Sequence, residues 1–408
     1  MIVAYVGMGL PTAALGVAWK SMRADFARPL SSLGLVVIAF TVGYLAATGT
    51  HRAVAARLGP GALLTVASAL AAAGALAFAL TGSWPVLLAG AILMGLSGGN
   101  VDTALNAQVA LHHSGRMMNL MHGGFGLGAT LGPLLMTALL GAGVSWRWGY
   151  GALGLLQVAL LVGFVLTAGR WPATPPQGTA QVVVPVELGE VELGSVQGHP
   201  VAGRAAQSVR VGPGRAAPPP GPDLATRQRR AAWLGPLVFL AYGAAEVAIG
   251  SWAFVLLTGR GLGTAAAGIS VTLYWGALAV GRLGLGAAGP RISPPQVLAA
   301  SVIGAVVGGV GLWALPTLGA SGALVVLGLS LAGMFPALMA LTPARVGPRR
   351  TRAVISNQLA AAVVGGAAWS AVVGLVAQHL GSAAIAPALL ASCLLLAATD
   401  VALTAAST

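Results

Sequence analysis

Asp102, Glu246 and Arg282 are the side chains best placed to do chemistry in this 408-residue chain, because each interrupts a long run of apolar positions. An ionisable group in such a run costs roughly 2.5–3.5 kcal/mol to insert into a bilayer, so each one asks for a functional explanation. Asp102 stands ten residues before His112, which places it roughly 15 Å into its helix and near the bilayer centre. Asn106 follows at i+4 on the same face and Asn100 flanks it, so one side of this helix offers a carboxyl group with amides around it. That set suits proton exchange at Asp102 and hydrogen bonding to a polar solute. The alternative is a helix–helix hydrogen bond that only holds a bundle together. Glu246 lies well away from Arg230 on one side and Arg260 on the other, so it is also deep. Arg282 sits nine residues before Arg291, roughly 13 Å into its helix, and a buried Arg needs a partner. Glu246 is the candidate partner, and the pair reads equally as a structural brace or as part of a coupling site. His122, which follows Asn119, either approaches Asp102 across a hairpin or sits near the interface.

The elements that carry these residues are twelve apolar stretches, at 2–19, 30–50, 61–81, 84–112, 116–143, 148–169, 232–257, 264–288, 296–316, 319–343, 352–378 and 383–404. The chain is 57% hydrophobic and 7% charged, with a mean hydropathy of +0.87, which excludes a soluble globular domain. Each stretch is long enough to cross a bilayer, and only helices satisfy their backbone there within one segment. The expected class is therefore an all-α, multi-pass membrane protein. No basic n-region or A-x-A site marks the first stretch, so no removable signal peptide is expected.

A net charge of +13 would point to nucleic acid in a soluble protein, but here the arginines follow membrane topology. With the N-terminus inside, Arg52, Arg57, Arg116, Arg170, Arg291, Arg345, Arg349, Arg350 and Arg352 fall in cytoplasmic connections, leaving Lys20, Arg23, Arg28, Arg147 and Arg260 outside. Both termini are thus expected in the cytoplasm of a cell whose cytoplasmic (inner) membrane holds the protein. The single Cys393 lies in the last stretch and has no disulfide partner.

Residues 171–230 are polar and rich in Pro and Gly, with Glu187, Glu190 and Glu192 and several arginines, and read as a flexible cytoplasmic tether between a first half (1–170) and a second (231–408). The halves are related. An offset of about 234 places Gly9 on Gly243, Gly16 on Gly250, Gly34 on Gly268, Arg57 on Arg291 and Gly74 on Gly308, and one step less aligns Gly95-Leu96-Ser97 with Gly328-Leu329-Ser330. Parallel six-helix repeats are a transporter architecture in which substrate binds near the midplane and the halves rock around it. Asp102 falls on Phe335 and Glu246 on Thr12, so the repeat itself does not require either acid.

The run Val101-Asp102-Thr103-Ala104-Leu105-Asn106, the following Arg116–Gly128 segment, Tyr242-Gly243-Ala244-Ala245-Glu246 with Trp252, Gly281-Arg282 and Phe335-Pro336-Ala337-Leu338-Met339 together resemble the major facilitator superfamily, and within it the fucose–proton symporter-like branch. The resemblance implies two six-helix bundles and a secondary active transporter working by alternating access. It also implies that the fourth-helix acid, here Asp102, serves proton coupling and solute recognition. The branch carries a further acid in its first helix, where this chain has Gly16. The family's loop signature after the second helix keeps Arg57 and Gly59 but has Ala56 for its acid and Pro60-Gly61 for its basic pair, so gating by that charge pair is not expected. Gly128-Ala129-Thr130-Leu131-Gly132-Pro133 resembles part of a fifth-helix motif of efflux antiporters, although helix packing alone accounts for small residues and a proline.

A sugar offers apolar faces to aromatic rings and hydroxyls to amides, which makes Trp252, Tyr274, Trp275, Trp369, Asn106, Asn100, Asn357 and Gln358 the substrate-binding candidates and Asp102 and Glu246 the proton-coupling ones. Arg282, Arg57, Gly128, Gly132, Pro133 and His122 are structural or gating candidates, and Trp84, Trp146, Trp148 and Trp171 read as interface anchors. The expectation is symport of a small polar solute such as a monosaccharide by a monomer, with proton or another ion as partner. Efflux of amphipathic compounds is the alternative, and a non-transporting sensor a further one. Gly95-Leu96-Ser97-Gly98 matches an intramembrane serine-protease pattern, but twelve duplicated spans do not fit a hydrolase. No metal-ligand cluster, phosphate-binding glycine loop or cofactor motif is present, so no cofactor is expected and coupling falls to an ion gradient.

Overall fold

The chain's apolar stretches cannot hydrogen-bond to lipid, and all of them are helical in the computed structural model, which describes residues 1–112, 115–171, 222–288 and 291–407. Five helices form the first half: α1 (Ile2–Asp25), α2 (Ser32–Leu80), α3 (Trp84–His112), α4 (Gly115–Gly141) and α5 (Trp146–Thr167). Six form the second: α6 (Pro222–Gly259), α7 (Thr264–Ala288), α8 (Pro294–Ala314), α9 (Thr317–Val346), α10 (Pro348–Leu380) and α11 (Ile385–Ser407).

Helix α2 holds 49 residues, about 73 Å of helix and more than twice the hydrocarbon thickness of a bilayer. It is two spans joined by a bend. Gly59 has φ 71 and ψ 167, a left-handed backbone that a side chain would strain, and Pro60 follows it. The arms on either side are the second and third expected spans, so the fold has twelve crossings in two six-helix sets. Parity puts the start of α1, residues 171 and 222 and the end of α11 on one face, called here the linker face. The turns at 26–31, 81–83, 142–145, 260–263 and 381–384 lie on the opposite, loop face.

Two expected boundaries shift. The tether was expected to reach residue 230, yet residues 222–230 already belong to α6. The reason is local propensity, since Leu224-Ala225-Thr226-Arg227-Gln228-Arg229-Arg230 is dominated by helix formers. Helix α1 runs to Asp25, which makes Lys20 and Arg23 part of its last turns. Residues 172–221 of the tether, with its glutamates, and the side chains of Arg116 and Asn119 lie outside the described residues.

The first half is capped at the loop face by aromatic rings and one ion pair. Trp146, expected at the lipid interface, is instead 1% exposed. Its indole N–H donates to Asp25 Oδ2 at 2.9 Å, beside an Arg147–Asp25 contact of 3.6 Å. Asp25 thereby draws Trp146 inward. Trp84 is similarly packed, under Arg28 and against Phe26, whereas Trp148 is 71% exposed, as an anchor would be.

The halves meet along α4 and α7 and, nearer the loop face, along α1–α6 and α2–α10. At Gly16 an added Cβ would lie 2.7 Å from the Gly250 carbonyl, and at Gly34 one would lie 2.6 Å from Ala371 Cα. The Leu30 N–H donates to Gln378 Oε1 at 2.8 Å across the same seam. Toward the linker face, α3 has no packing of that kind against α9 or α10 among the described residues. The seam is closed at the loop face, and α4 and α7 carry it on toward the linker face, where Gly123 meets Leu283.

Candidate functional site

Asp102 lies on α3 opposite the linker-side end of α1 and the middle of α2's first arm. Tyr5 Oη–H donates to its Oδ1 at 2.6 Å and Tyr44 Oη–H to its Oδ2 at 2.6 Å. One helical turn on, the Asn106 amide donates to Oδ1 at 2.9 Å and to Tyr5 Oη at 3.0 Å. His122 Nε2 stands 3.2 Å from Asn106 Oδ1, and its ring meets the Tyr5 ring edge-on at 5.3 Å. Since Asn106 accepts there, Nε2 carries the proton. Every donor in this chain points toward the carboxylate, an arrangement that stabilises the anion through charge-assisted hydrogen bonds. Asn100 turns away. Its amide donates to Leu96 O at 2.9 Å, and its buried Oδ1 faces His51 without a well-formed hydrogen bond among the described residues.

The second acid is built in the same style on other helices. Glu246 on α6 meets Arg282 Nη2 on α7 at 3.1 Å, with side-chain exposures of 13% and 20%. The same Nη2 donates to Tyr242 Oη at 3.0 Å, and Tyr274 Oη donates to the Glu246 carbonyl at 3.0 Å. Arg282 Nη1 and Nε have no partner among the described residues. Both side chains of this pair keep partial exposure although α6 is largely buried. His122 lies within electrostatic reach of both Asp102 and Arg282. It stands on the α4–α7 seam, where Gly123 packs against Leu283. Among the described residues no three His, Cys, Asp or Glu side chains converge as a metal site.

The repeat relation explains how the second half manages without an acid at the Asp102 position. Phe335 sits there, 5.5 Å ring to ring from Phe239, and Phe239 is the counterpart of Tyr5 at the offset of 234, one step more than the offset relating Phe335 to Asp102. An aromatic contact replaces the hydrogen-bonded one. Tyr5 and Tyr44 were not singled out from sequence, yet a signal existed: of only five tyrosines, Tyr5, Tyr44, Tyr242 and Tyr274 all contact one of the two charged clusters.

The other candidates disperse. Trp252 is fully enclosed, its N–H donating to Ser370 O at 3.0 Å and lying near Ser370 Oγ as well. Gln358 is 3% exposed and is engaged with Thr342 at 3.0 Å. Trp369 donates to Ala388 O at 3.2 Å, while Asn357 is exposed on α10. Trp275 differs from these, because its indole N–H is buried against Gly250 with no acceptor among the described residues. Arg57 is exposed beside the Gly59 bend and has no ion pair among the described residues. Gly128 and Gly132 face the carbonyls of Val6 and Leu10, and Pro133 continues α4 beyond them, so this motif seats α4 on α1. Asp400, which reads from sequence as reaching water, is 8% exposed and lies within electrostatic reach of Arg345. Ser97 borders a cavity of about 30 Å³, room for about one water, whose lining has no His or Lys to activate a serine.

A family model described as Major Facilitator Superfamily matches residues 1–369. Solved structures of similar fold include a bacterial homolog of the human lysosomal transporter Spinster in an inward-facing, unoccupied conformation, 13% identical, with a TM-score of 0.71 and coverage of 100% of this chain and 95% of that one. The nucleoside transporter NupG is 12% identical at a TM-score of 0.70, with coverage of 100% and 98%. The fucose:proton symporter FucP of E. coli is 17% identical at a TM-score of 0.60, again with coverage of 100% and 98%. At these identities the likenesses show the fold alone. No curated protein matches the sequence.

Proposed function

The chain belongs to the major facilitator superfamily, and from that premise we propose that it carries a small polar solute, a monosaccharide being the favoured class, by proton-coupled alternating access through Asp102. It is a multi-pass integral membrane protein of a transporter family. The carrying observation is the Asp102 carboxylate, held by Tyr5, Tyr44 and Asn106 in one half while the matched position of the other half is Phe335. An acid kept at only one of two equivalent positions serves something other than the architecture.

Polar solute chemistry fits the groups left unspent at the interface. Among the described residues, Arg282 has free donors beside Glu246 and the buried Trp275 N–H lacks an acceptor, an omission that costs about 1–3 kcal/mol unless a ligand supplies one. The enclosed Trp252 and Gln358 and the half-buried Trp369, whose polar atoms are engaged with neighbouring helices, are read as packing residues. The arginines of the linker face support a cytoplasmic position for that face, both termini and the tether, and with it the inner membrane as the protein's location. Fucose is what a similarly folded symporter carries, and it heads the list of solutes to try. The glycine motif of α4 is accounted for by its seat on α1 and adds no weight to efflux.

The test is reconstitution in liposomes with an imposed proton gradient and a panel of monosaccharides. Solute addition is expected to drive proton entry, and Asp102→Asn to abolish gradient-driven accumulation while leaving solute exchange. Solute-driven proton flux that survives unchanged in Asp102→Asn would refute the coupling role.

A further inference from the structure

The three donors on Asp102 are unequally shared between its two oxygens. Oδ1 receives both Tyr5 at 2.6 Å and the Asn106 amide at 2.9 Å, whereas Oδ2 receives Tyr44 alone at 2.6 Å. A proton arriving at this carboxylate has room only on Oδ2, because a new O–H on Oδ1 would face two existing N–H or O–H donors. A protonated Oδ2 has Tyr44 Oη, 2.6 Å away, as its nearest acceptor among the described residues, and when its O–H takes that direction the Tyr44 O–H must turn away.

Tyr5 is not free to make the equivalent move. It is 1% exposed, and its oxygen already accepts from Asn106 at 3.0 Å. Tyr44 has no second partner for its hydroxyl among the described residues, and its side chain is only partly buried. We propose that Tyr44 is the coupling hydroxyl: protonation of Asp102 reverses the Tyr44–Asp102 hydrogen bond and turns the Tyr44 O–H toward an oxygen acceptor on the transported solute. The inference rests on the proton role assigned to Asp102 above.

The balance of the step is simple. A proton from the aqueous phase forms an O–H bond at Asp102 Oδ2. That O–H then donates to Tyr44 Oη, which changes from donor to acceptor. The phenolic proton stays on Tyr44 throughout and rotates about the C–O bond to its other in-plane position, so no proton passes onward from the tyrosine. The loaded site gains one neutral hydrogen-bond donor that the unprotonated site lacks. A hydroxyl or carbonyl oxygen of an uncharged solute is the chemistry that such a donor recognises, and proton binding and solute binding then favour one another, as coupling requires.

The experiment uses the full-length protein in liposomes, with the proton itself as the probe and no solute added. Infrared difference spectra between acidic and alkaline pH are recorded for the wild type, Asp102→Asn, Tyr44→Phe and Tyr5→Phe. The expected result is a carboxylic-acid C=O band that vanishes in Asp102→Asn, accompanied by a tyrosine C–O band shift that vanishes in Tyr44→Phe and remains in Tyr5→Phe. A carboxyl band unaffected by Asp102→Asn overturns the proton site and this inference together. A carboxyl band that belongs to Asp102, with a tyrosine shift surviving in Tyr44→Phe, overturns only the role of Tyr44. Should Tyr44→Phe not fold, the shift is assigned by replacing the other four of the five tyrosines one at a time. Its loss in any of those variants overturns the proposal, and its survival in all four supports it.

Discussion

Separating Glu246 from Arg282 should damage the protein far more than removing both, and the structure sets the scale. Their nearest atoms are 3.1 Å apart, which puts the charge centres near 4 Å, where two unit charges attract by about 4 kcal/mol at an effective dielectric constant of 20. Side-chain exposures of 13% and 20% mean that both groups have lost most of their water, and that loss offsets part of the attraction. A net coupling of about 2 kcal/mol remains, inside the 0.5–3 kcal/mol range measured for contacting residues. The single changes are not equivalent. In Arg282→Met the glutamate keeps the Tyr242 hydroxyl beside it, whose O–H can donate to it with or without the guanidinium. In Glu246→Gln the guanidinium keeps an amide oxygen but no balancing charge. The cycle Glu246→Gln, Arg282→Met and the double variant is followed by the midpoint of thermal unfolding in detergent and by exchange transport in liposomes. Each single variant should lose activity by about ten-fold or more, and the double should recover a large part of the loss. Additive effects within about 0.5 kcal/mol would show that the observed contact carries no coupling, and would refute the reasoning from distance and burial.

Two further outcomes are expected. Gly132→Val should lower the thermal midpoint and the yield of folded protein, because its side chain must displace the Leu10 carbonyl of α1, an overpacking worth about 1–3 kcal/mol; Gly163→Val, which faces open space, is the control that should behave as wild type. Ser31→Cys with Gly374→Cys should form an oxidant-dependent disulfide across the loop face that stops turnover reversibly, since a Cβ on Gly374 lies 3.1 Å from Ser31 Cα and the native Cys393 is buried out of reach. Transport that continues with the cross-link formed would mean that this seam need not open.

The architecture is legible in the sequence because lipid leaves the backbone one solution. Span lengths fix the crossings, and even the bend inside α2 has its cause in Gly59-Pro60. The relation between halves is legible too, in recurring glycines whose close contacts the fold uses, as at Gly16 with Gly250. What escapes the sequence is direction around each helix. Trp252 and Trp275 look alike as aromatic candidates, and only packing shows that one N–H is bonded to Ser370 while the other has no acceptor among the described residues. Asp25 lies beyond the edge of its apolar stretch and gives no sign that it will draw Trp146 inward. Asp102 and Glu246 stand out by cost alone, whereas the tyrosines around them cost little in a membrane and are conspicuous only through their rarity.

The two acids also differ in what awaits them as the chain is made. Tyr5 and Tyr44 belong to α1 and α2, so both are already in the bilayer when α3 delivers Asp102. Glu246 arrives on α6 with Tyr242 one turn ahead of it, but Arg282 comes 36 residues later, on α7. At roughly 5–20 residues per second that gap lasts about 2–7 s. During that interval the carboxylate has no cation to offset the roughly 2.5–3.5 kcal/mol that its insertion costs. Assembly of the second half, not the first, is the one that waits on the next helix.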